Sequence, residues 1–179
     1  MSRIVLPPKD LTKPVKQIKV KKRKPRRTLG QKTAAQLVKE ADKYWSRYVR
    51  LRDSEFNGVS FVGTCITCTK TDTIAWFDED GNLRYSKGWD AGHFVSRGNK
   101  VVRFDEMNVN LQCAMRCNKM RSGEMVKYRA ALKLKYGDGI PSILENLAEN
   151  TKHYKFPKPE LLQIIQDAKT QIAYYADHR

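Results

Sequence analysis

Two pairs of cysteines constrain this chain more than any other feature. Cys65 and Cys68 stand in "GTCITCTK", and Cys113 and Cys117 stand in "LQCAMRCNKM", about 45 residues further on; the chain has no other cysteine. Zinc takes four tetrahedral ligands, and four thiolates satisfy it completely. A two-residue gap lets a knuckle turn both sulfurs toward one point. A three-residue gap does the same on one turn of helix, where positions i and i+4 share a face. The spacing therefore predicts a structural zinc held by Cys65, Cys68, Cys113 and Cys117. Four unrelated buried thiols, or a set in which His93 replaces one cysteine, are the competing readings. A site closed by four thiolates keeps no position open for water or substrate, so any chemistry must lie beside the zinc.

Charge narrows the partner. The chain has 179 residues, 35 Lys and Arg against 19 Asp and Glu, and a net charge of +16. Such a surface attracts polyanions, nucleic acid first. No long apolar run and no signal-like start is present, so the expectation is no membrane partner and a cytoplasmic protein. In that reducing compartment paired cysteines read as metal ligands before disulfides. Residues 1–30 hold eleven basic residues against Asp10 alone, and four prolines. Proline at that density bars a continuous helix, and little apolar material is there to bury. The segment reads as a disordered, flexible basic arm, with Lys21, Lys22, Arg23, Lys24, Arg26 and Arg27 as its densest DNA-binding candidates.

The rest of the chain divides by texture. Residues 31–58 read as an N-terminal helix whose buried stripe is Ala34, Val38, Ala41, Trp45 and Tyr48, with Lys39, Lys43, Arg47 and Arg50 on the other sides. That stripe is assigned to the core and given no chemistry. From Val59 to Val102 the pattern is β, with "DEDGN" as a turn. After Asn108 it reads as helix, broken at Ser122-Gly123 and resuming to Tyr136, with Gly137 as its stop. In 138–179 a short helix begins at Pro141, and a longer one has Pro159 near its first turn. The longer helix carries the stripe Leu161, Ile165, Ala168, Ile172 and Tyr175, which suits either the core or a second subunit. The core proper is 59–137, and the fold class is α+β.

Between the cysteine pairs lies "WDAGHF", and Asn118 follows Cys117 directly. Residues three apart on a regular strand face opposite sides. A bulge or turn at Gly92 would bring Asp90 and His93 together. A carboxylate and an amide oxygen suit a hard cation such as Mg²⁺, and a neighbouring histidine can act as general base. Those are the parts of metal-assisted phosphodiester hydrolysis. Taken singly, Asp90 reads as a cap, His93 as a buried histidine and Asn118 as a helix hydrogen-bonder; the order of all of them together favours a site. Arg97, Lys100, Arg103, Lys119 and Arg121 flank it, either as phosphate clamps or as an ordinary solvated basic face.

The order of cysteines, Asp-x-x-His and Asn resembles the HNH, or His-Me finger, endonucleases, and in particular phage endonuclease VII. The stretches "WDAGHFVSRGN", "VRFDEMNVNLQC", "CNKMRSGE" and "KYGDG" are similar to the NinG (Rap) family of phage recombination proteins, most specifically over 61–137. The resemblance implies a zinc-clamped ββα-metal core flanked by helices. It implies Asp90 and Asn118 as holders of catalytic Mg²⁺ or Mn²⁺, His93 as general base, and Asn108 as a brace for the histidine loop. It further implies endonucleolytic cutting of branched recombination intermediates such as Holliday junctions and D-loops, leaving a 5′-phosphate and a 3′-hydroxyl. A homodimer is expected, because symmetric cutting of a four-way junction needs two sites. The chain departs from endonuclease VII in its three-residue second cysteine gap. It also has Arg121 where a glutamate stands three past the final Asn, with Glu124 three later. Two rivals remain: a non-catalytic zinc-stabilised nucleic-acid-binding module, and an HNH nuclease acting on unbranched or single-stranded DNA.

Overall fold

The computed structural model describes residues 28–178. Most of the basic arm, including Lys21, Lys22, Arg23, Lys24, Arg26 and Arg27, lies outside the described residues. A short 3₁₀ turn, Leu29–Gln31, leads into helix α1, Ala34–Arg52. Thr33 and Gln36 start α1 reciprocally. The Thr33 hydroxyl accepts from the Gln36 amide at 3.3 Å, and the Gln36 side-chain oxygen accepts from the Thr33 amide at 3.0 Å. Two of the helix's orphan donors are thereby satisfied.

Four strands follow as an antiparallel meander in chain order: β1 (Ser54–Phe56), β2 (Ser60–Thr64), β3 (Thr71–Phe77) and β4 (Leu83–Tyr85). β1 is a strand that the sequence pattern does not announce. Asn57 and Gly58 turn β1 into β2, the Asn57 side-chain oxygen accepting from the Val59 and Ser60 amides. The expected turn in "DEDGN" joins β3 to β4, with Gly81 at φ 76°.

A second, two-stranded ribbon pairs β5 (Trp89–His93) with β6 (Val109–Cys113). Here the structure corrects the expectation of helix directly after Asn108. All five residues of β6 are buried. A strand covered on both faces loses the two-residue alternation by which strands are recognised. A six-residue π-helical turn, Ala114–Lys119, leaves β6, and helices α2 (Met125–Tyr136), α3 (Ile140–Asn150) and α4 (Lys158–Asp177) complete the chain. Gly137 stops α2 at φ 109°, as its position predicts.

The core is built in patches that tie these pieces together. Ile74, Trp89 and Leu111 pack around the cysteines, joining the two sheets. Phe94 and Val102 of the β5–β6 connection pack on Tyr128 and Leu132 of α2 and on Leu144 of α3. The α4 stripe lies against α1, Leu161 and Ile165 meeting Leu37 and Ala41. Ala168 joins Tyr48 and Val49 of α1, with Ile172 and Tyr175 at the margin. Leu37, Val49 and Leu51 join Ala41 and Tyr48 on the buried face of α1, while Ala34 is exposed. The stripes of α1 and α4 thus pack largely on one another within one chain. Among the described residues, no helix is long and apolar enough to cross a membrane.

Candidate functional site

The four cysteines meet. Cys65 and Cys68 bracket a tight turn closed by Thr69, which takes the left-handed conformation at φ 57° and donates its amide to the Cys65 carbonyl at 3.0 Å. Cys113 ends β6 and Cys117 lies in the π-helical turn. The three-residue gap therefore works across a strand-to-helix corner and not along one helical turn. The sulfurs all lie within 4.8 Å of one another, and none is in a disulfide. With metal–sulfur bonds of about 2.3 Å, a tetrahedral zinc separates its sulfurs by a little under 4 Å, so the arrangement fits a structural metal such as zinc. Burial opposes ionisation of Cys65, but the Thr67 hydroxyl and the Cys113 amide outweigh it and bring that thiol down to about 6. Burial and the neighbouring thiols push Cys113 and Cys117 up. A dication at the centre reverses that penalty, because metal ligation requires the thiolate. His93 is not part of this cluster.

Beside the cluster lies a cleft of about 600 Å³, bordered by Asp90, His93 and Asn118 together with Arg97 and Lys119. The β5–β6 ladder is regular from Trp89 to His93, without the bulge expected at Gly92. Asp90 and His93, three apart on a regular strand, nonetheless both border the one cleft, as does Ala91 between them. Gly92 has another reason to be glycine. A Cβ there would stand 2.1 Å from Gln112 Oε1, since the buried Gln112 side chain crosses it on the way to donate to the Gly123 carbonyl at 2.8 Å.

Asn118 Nδ2 donates to Asp90 Oδ2 at 3.0 Å, and each side chain keeps one oxygen outside that bond. Two hard oxygen donors on one wall are what a small divalent cation takes. His93 Nε2 donates to the Arg103 carbonyl at 3.0 Å, since the carbonyl can only accept. The proton is thus placed on Nε2 and the Nδ1 lone pair is left as the basic site. Burial holds His93 below the ordinary histidine range, which keeps it neutral and proton-accepting near pH 7.

Asn108 is fully buried and holds the loop that follows His93. Its side-chain oxygen accepts from the Val95 amide at 2.7 Å, while Nδ2 donates to the Val102 carbonyl at 2.7 Å and the Val95 carbonyl at 3.0 Å. Tyr128 of α2 adds a buried hydroxyl bond to the Gly92 carbonyl at 2.8 Å.

The flanking basic residues divide. Arg97 and Lys119 border the cleft, and Lys100 is exposed on the loop outside it. Arg103 is engaged within the chain. Its guanidinium clasps Asp42 with bonds of 2.8 and 2.6 Å and reaches the Arg97 carbonyl at 2.7 Å, so it anchors the loop to α1 instead of offering a free clamp. Arg121 pairs with Glu124 at 2.5 Å, and Lys127 approaches the other Glu124 oxygen at 3.6 Å. Glu124 therefore points to those cations and does not border the cleft.

Helix α1, whose apolar stripe was given no chemistry, supplies a wall of the cleft. Asp42, Trp45 and Ser46 border the cleft. Asp42 is the one signal in the sequence, an acid on a face otherwise set with Lys39, Lys43 and Arg47.

Fold and site together define a mixed α+β protein in which a cluster of four cysteines able to hold a metal ion lies beside a polar cleft. The chain belongs to the NinG family. The family described as bacteriophage lambda NinG protein matches residues 9–176. Protein ninG of Salmonella phage P22 is 30% identical over 148 residues, covering 80% of this chain and 63% of the relative. Protein ninG of Escherichia phage lambda is 30% identical over 155 residues, covering 82% and 66%, and that of Escherichia phage 933W is 31% identical over 121 residues, covering 67% and 50%. The chain thus spans about half to two thirds of the length of these relatives. No solved structure matches it.

Proposed function

We propose that this protein is a structure-specific DNA endonuclease that cuts branched recombination intermediates by metal-assisted hydrolysis, on a zinc-braced HNH-type core. The observation that carries the reading is the convergence of Asp90, His93 and Asn118 on one cleft, with the histidine proton tied to a backbone carbonyl. The strand–ribbon–helix order β5, β6, α2, with Asp90 and His93 on the first strand and Asn118 ahead of the helix, supports the likeness to endonuclease VII. A divalent cation such as Mg²⁺ or Mn²⁺, held by Asp90 and Asn118, supplies Lewis-acid stabilisation of the phosphate and the leaving 3′ oxygen when bound. His93 Nδ1 takes a proton from the attacking water, and the Arg103 carbonyl stabilises the imidazolium that forms. Asn108 keeps the histidine loop in register. Arg97 and Lys119 lie where phosphates flanking the cut would pass, and recognition rests on backbone and shape. A dimer supplies two such clefts to a four-way junction, through a surface other than the α1 and α4 stripes. Cutting takes place in the cytoplasm of the phage-infected cell.

The test is purified protein with Mg²⁺ on a synthetic four-way junction, with linear duplex alongside. His93→Ala should lose roughly a hundredfold in cleavage while keeping fold, bound zinc and junction binding. Asp90→Ala should also stop cleavage and hold DNA at least as tightly, because a negative charge near phosphate is gone. Parent protein that cuts linear duplex equally well identifies a nuclease for unbranched DNA. Variants that cut as well as the parent, or a parent that binds and never cuts, leave a zinc-stabilised binding module.

A further inference from the structure

Exposed apolar side chains gather in the segment that runs past the cleft from the π-helical turn into α2. Met115 and Met120 in and just after the π-helical turn are 59% and 76% exposed, and Met125 and Val126 at the start of α2 are 41% and 86% exposed. Of these Met125 borders the cleft, as do Lys119, Ser122 and Gly123 of the same segment, so the segment forms part of the cleft's rim. Arg116 and Lys119, between the methionines in sequence, are exposed and carry no ion pair among the described residues. The one acid of this segment, Glu124, is taken up by Arg121 and Lys127.

The rim is also held in an unusual backbone. Ser122, Gly123 and Glu124 take positive φ in succession, at 47°, 87° and 52°. Two of these are not glycine, and a non-glycine residue in that region is strained. The segment is pinned from beneath. The Gly123 amide donates to the Cys117 carbonyl at 2.9 Å, and Gln112 Nε2 donates to the Gly123 carbonyl at 2.8 Å. The cysteine cluster and a buried strand thus fix the backbone that displays Met120 on one side and Met125 on the other.

We infer that this methionine rim is the branch-recognition element of the site, contacting bases that have lost a stacking neighbour at the junction crossover. The inference rests on the reading that the cleft takes DNA. Its occupant must present anionic backbone and flat apolar faces together, because free cations and exposed thioethers alternate along the rim. Unstacked DNA does so. Methionine is polarisable, packs against aromatic edges, and serves as a wedge between base steps in DNA-bending proteins. In continuous duplex the wedge must first break a stack, whereas at a branch point that cost is already met, so the rim favours branched over linear DNA. An anionic membrane would satisfy the same alternation of charge and apolar surface, but seating it here would close the cleft that holds Asp90, His93 and Asn118.

The experiment measures binding without cutting, on the full chain with Ca²⁺ in place of Mg²⁺. The ligands are a four-way junction carrying 2-aminopurine at the crossover and a linear duplex of the same sequence. The variant is Met120→Ser combined with Val126→Ser; both side chains are exposed, and unchanged zinc content and melting temperature report the intact fold. The parent should prefer the junction and raise 2-aminopurine fluorescence on binding. The variant should lose that rise and roughly tenfold of its preference for the junction, while linear-duplex affinity stays within about twofold. An unchanged preference, or an equal loss on both DNAs, overturns the inference. So does a change of oligomeric state in the variant, which would make the rim an interface between copies. Phosphatidylserine vesicles bound by the parent and not by the variant would make it a membrane surface and overturn it equally. Because binding is read here and cleavage in the separate Mg²⁺ assay, a protein that recognises the crossover through this rim yet never cuts defeats the nuclease proposal alone, and one that cuts junctions but binds them without needing the rim defeats this inference alone.

Discussion

Adding one methyl group to Gly92, between the two residues proposed to do the chemistry, tests how tightly the cleft is built from below. Gly92 has no positive φ, so alanine strains nothing in the backbone, and the whole cost is steric. The added Cβ would meet Gln112 Oε1 at 2.1 Å, its Cδ at 2.9 Å and its Cβ at 3.0 Å. Gln112 cannot swing aside freely. It is fully buried, and its amide donates to the Gly123 carbonyl at 2.8 Å. Overpacking of this kind costs ~1–3 kcal/mol, and stranding a buried amide costs ~1–3 kcal/mol more. A middle value of about 4 kcal/mol, at roughly 2–4 °C per kcal/mol for a chain of this size, lowers the melting temperature by roughly 8–16 °C. The assay is a circular-dichroism melt at fixed excess zinc, since bound metal shifts the apparent stability. Gly88→Ala is the control, because its Cβ would meet only Ser86 Oγ at 3.5 Å. In a Gln112→Ala background most of the Gly92→Ala cost should vanish. A Gly92→Ala protein that melts within a degree of the parent refutes this account of the glycine, as does a cost that simply adds to that of Gln112→Ala.

Cys113→Ser should release metal and unfold or aggregate the chain, with about one zinc per chain measured in the parent by atomic spectroscopy; folded parent protein without metal would remove the structural role. His93 is held below its ordinary value of about 6.5 by burial, so the unfolded chain binds that proton more readily, and stability should fall as the pH drops below about 6.5. His93→Ala should flatten that part of the acid dependence in melts at pH 7.5 and 5.5, and an unchanged slope would show that His93 does not contribute it. Deleting residues 1–27 should weaken DNA binding and reduce its salt slope while sparing cleavage at saturating protein; an unaltered slope in salt titrations would mean that the arm does not touch DNA.

Features decided within a few neighbouring residues were legible in the sequence. The cysteine pairs predict a shared metal position because each gap is short enough to fix two sulfurs locally, and the four do meet. Gly137, Pro141 and Pro159 mark the ends and starts of α2, α3 and α4 because they act on their own backbone. The convergence of Asp90, His93 and Asn118 was readable only as an order of residues, together with the resemblance that order carries. What tertiary structure alone decided depends on partners far along the chain. β6 was hidden as a strand because burial on both faces erased its alternation. Gly92 answers to Gln112 across the ribbon, not to any bulge of its own. Arg103 is removed from the list of free cations by Asp42, 61 residues away on α1, and the same helix supplies a cleft wall through Asp42, Ser46 and Trp45, of which periodicity assigns Trp45 to core. Periodicity reports that a face is covered; only the packed chain determines what covers it, and therefore which polar groups are left free at the cleft.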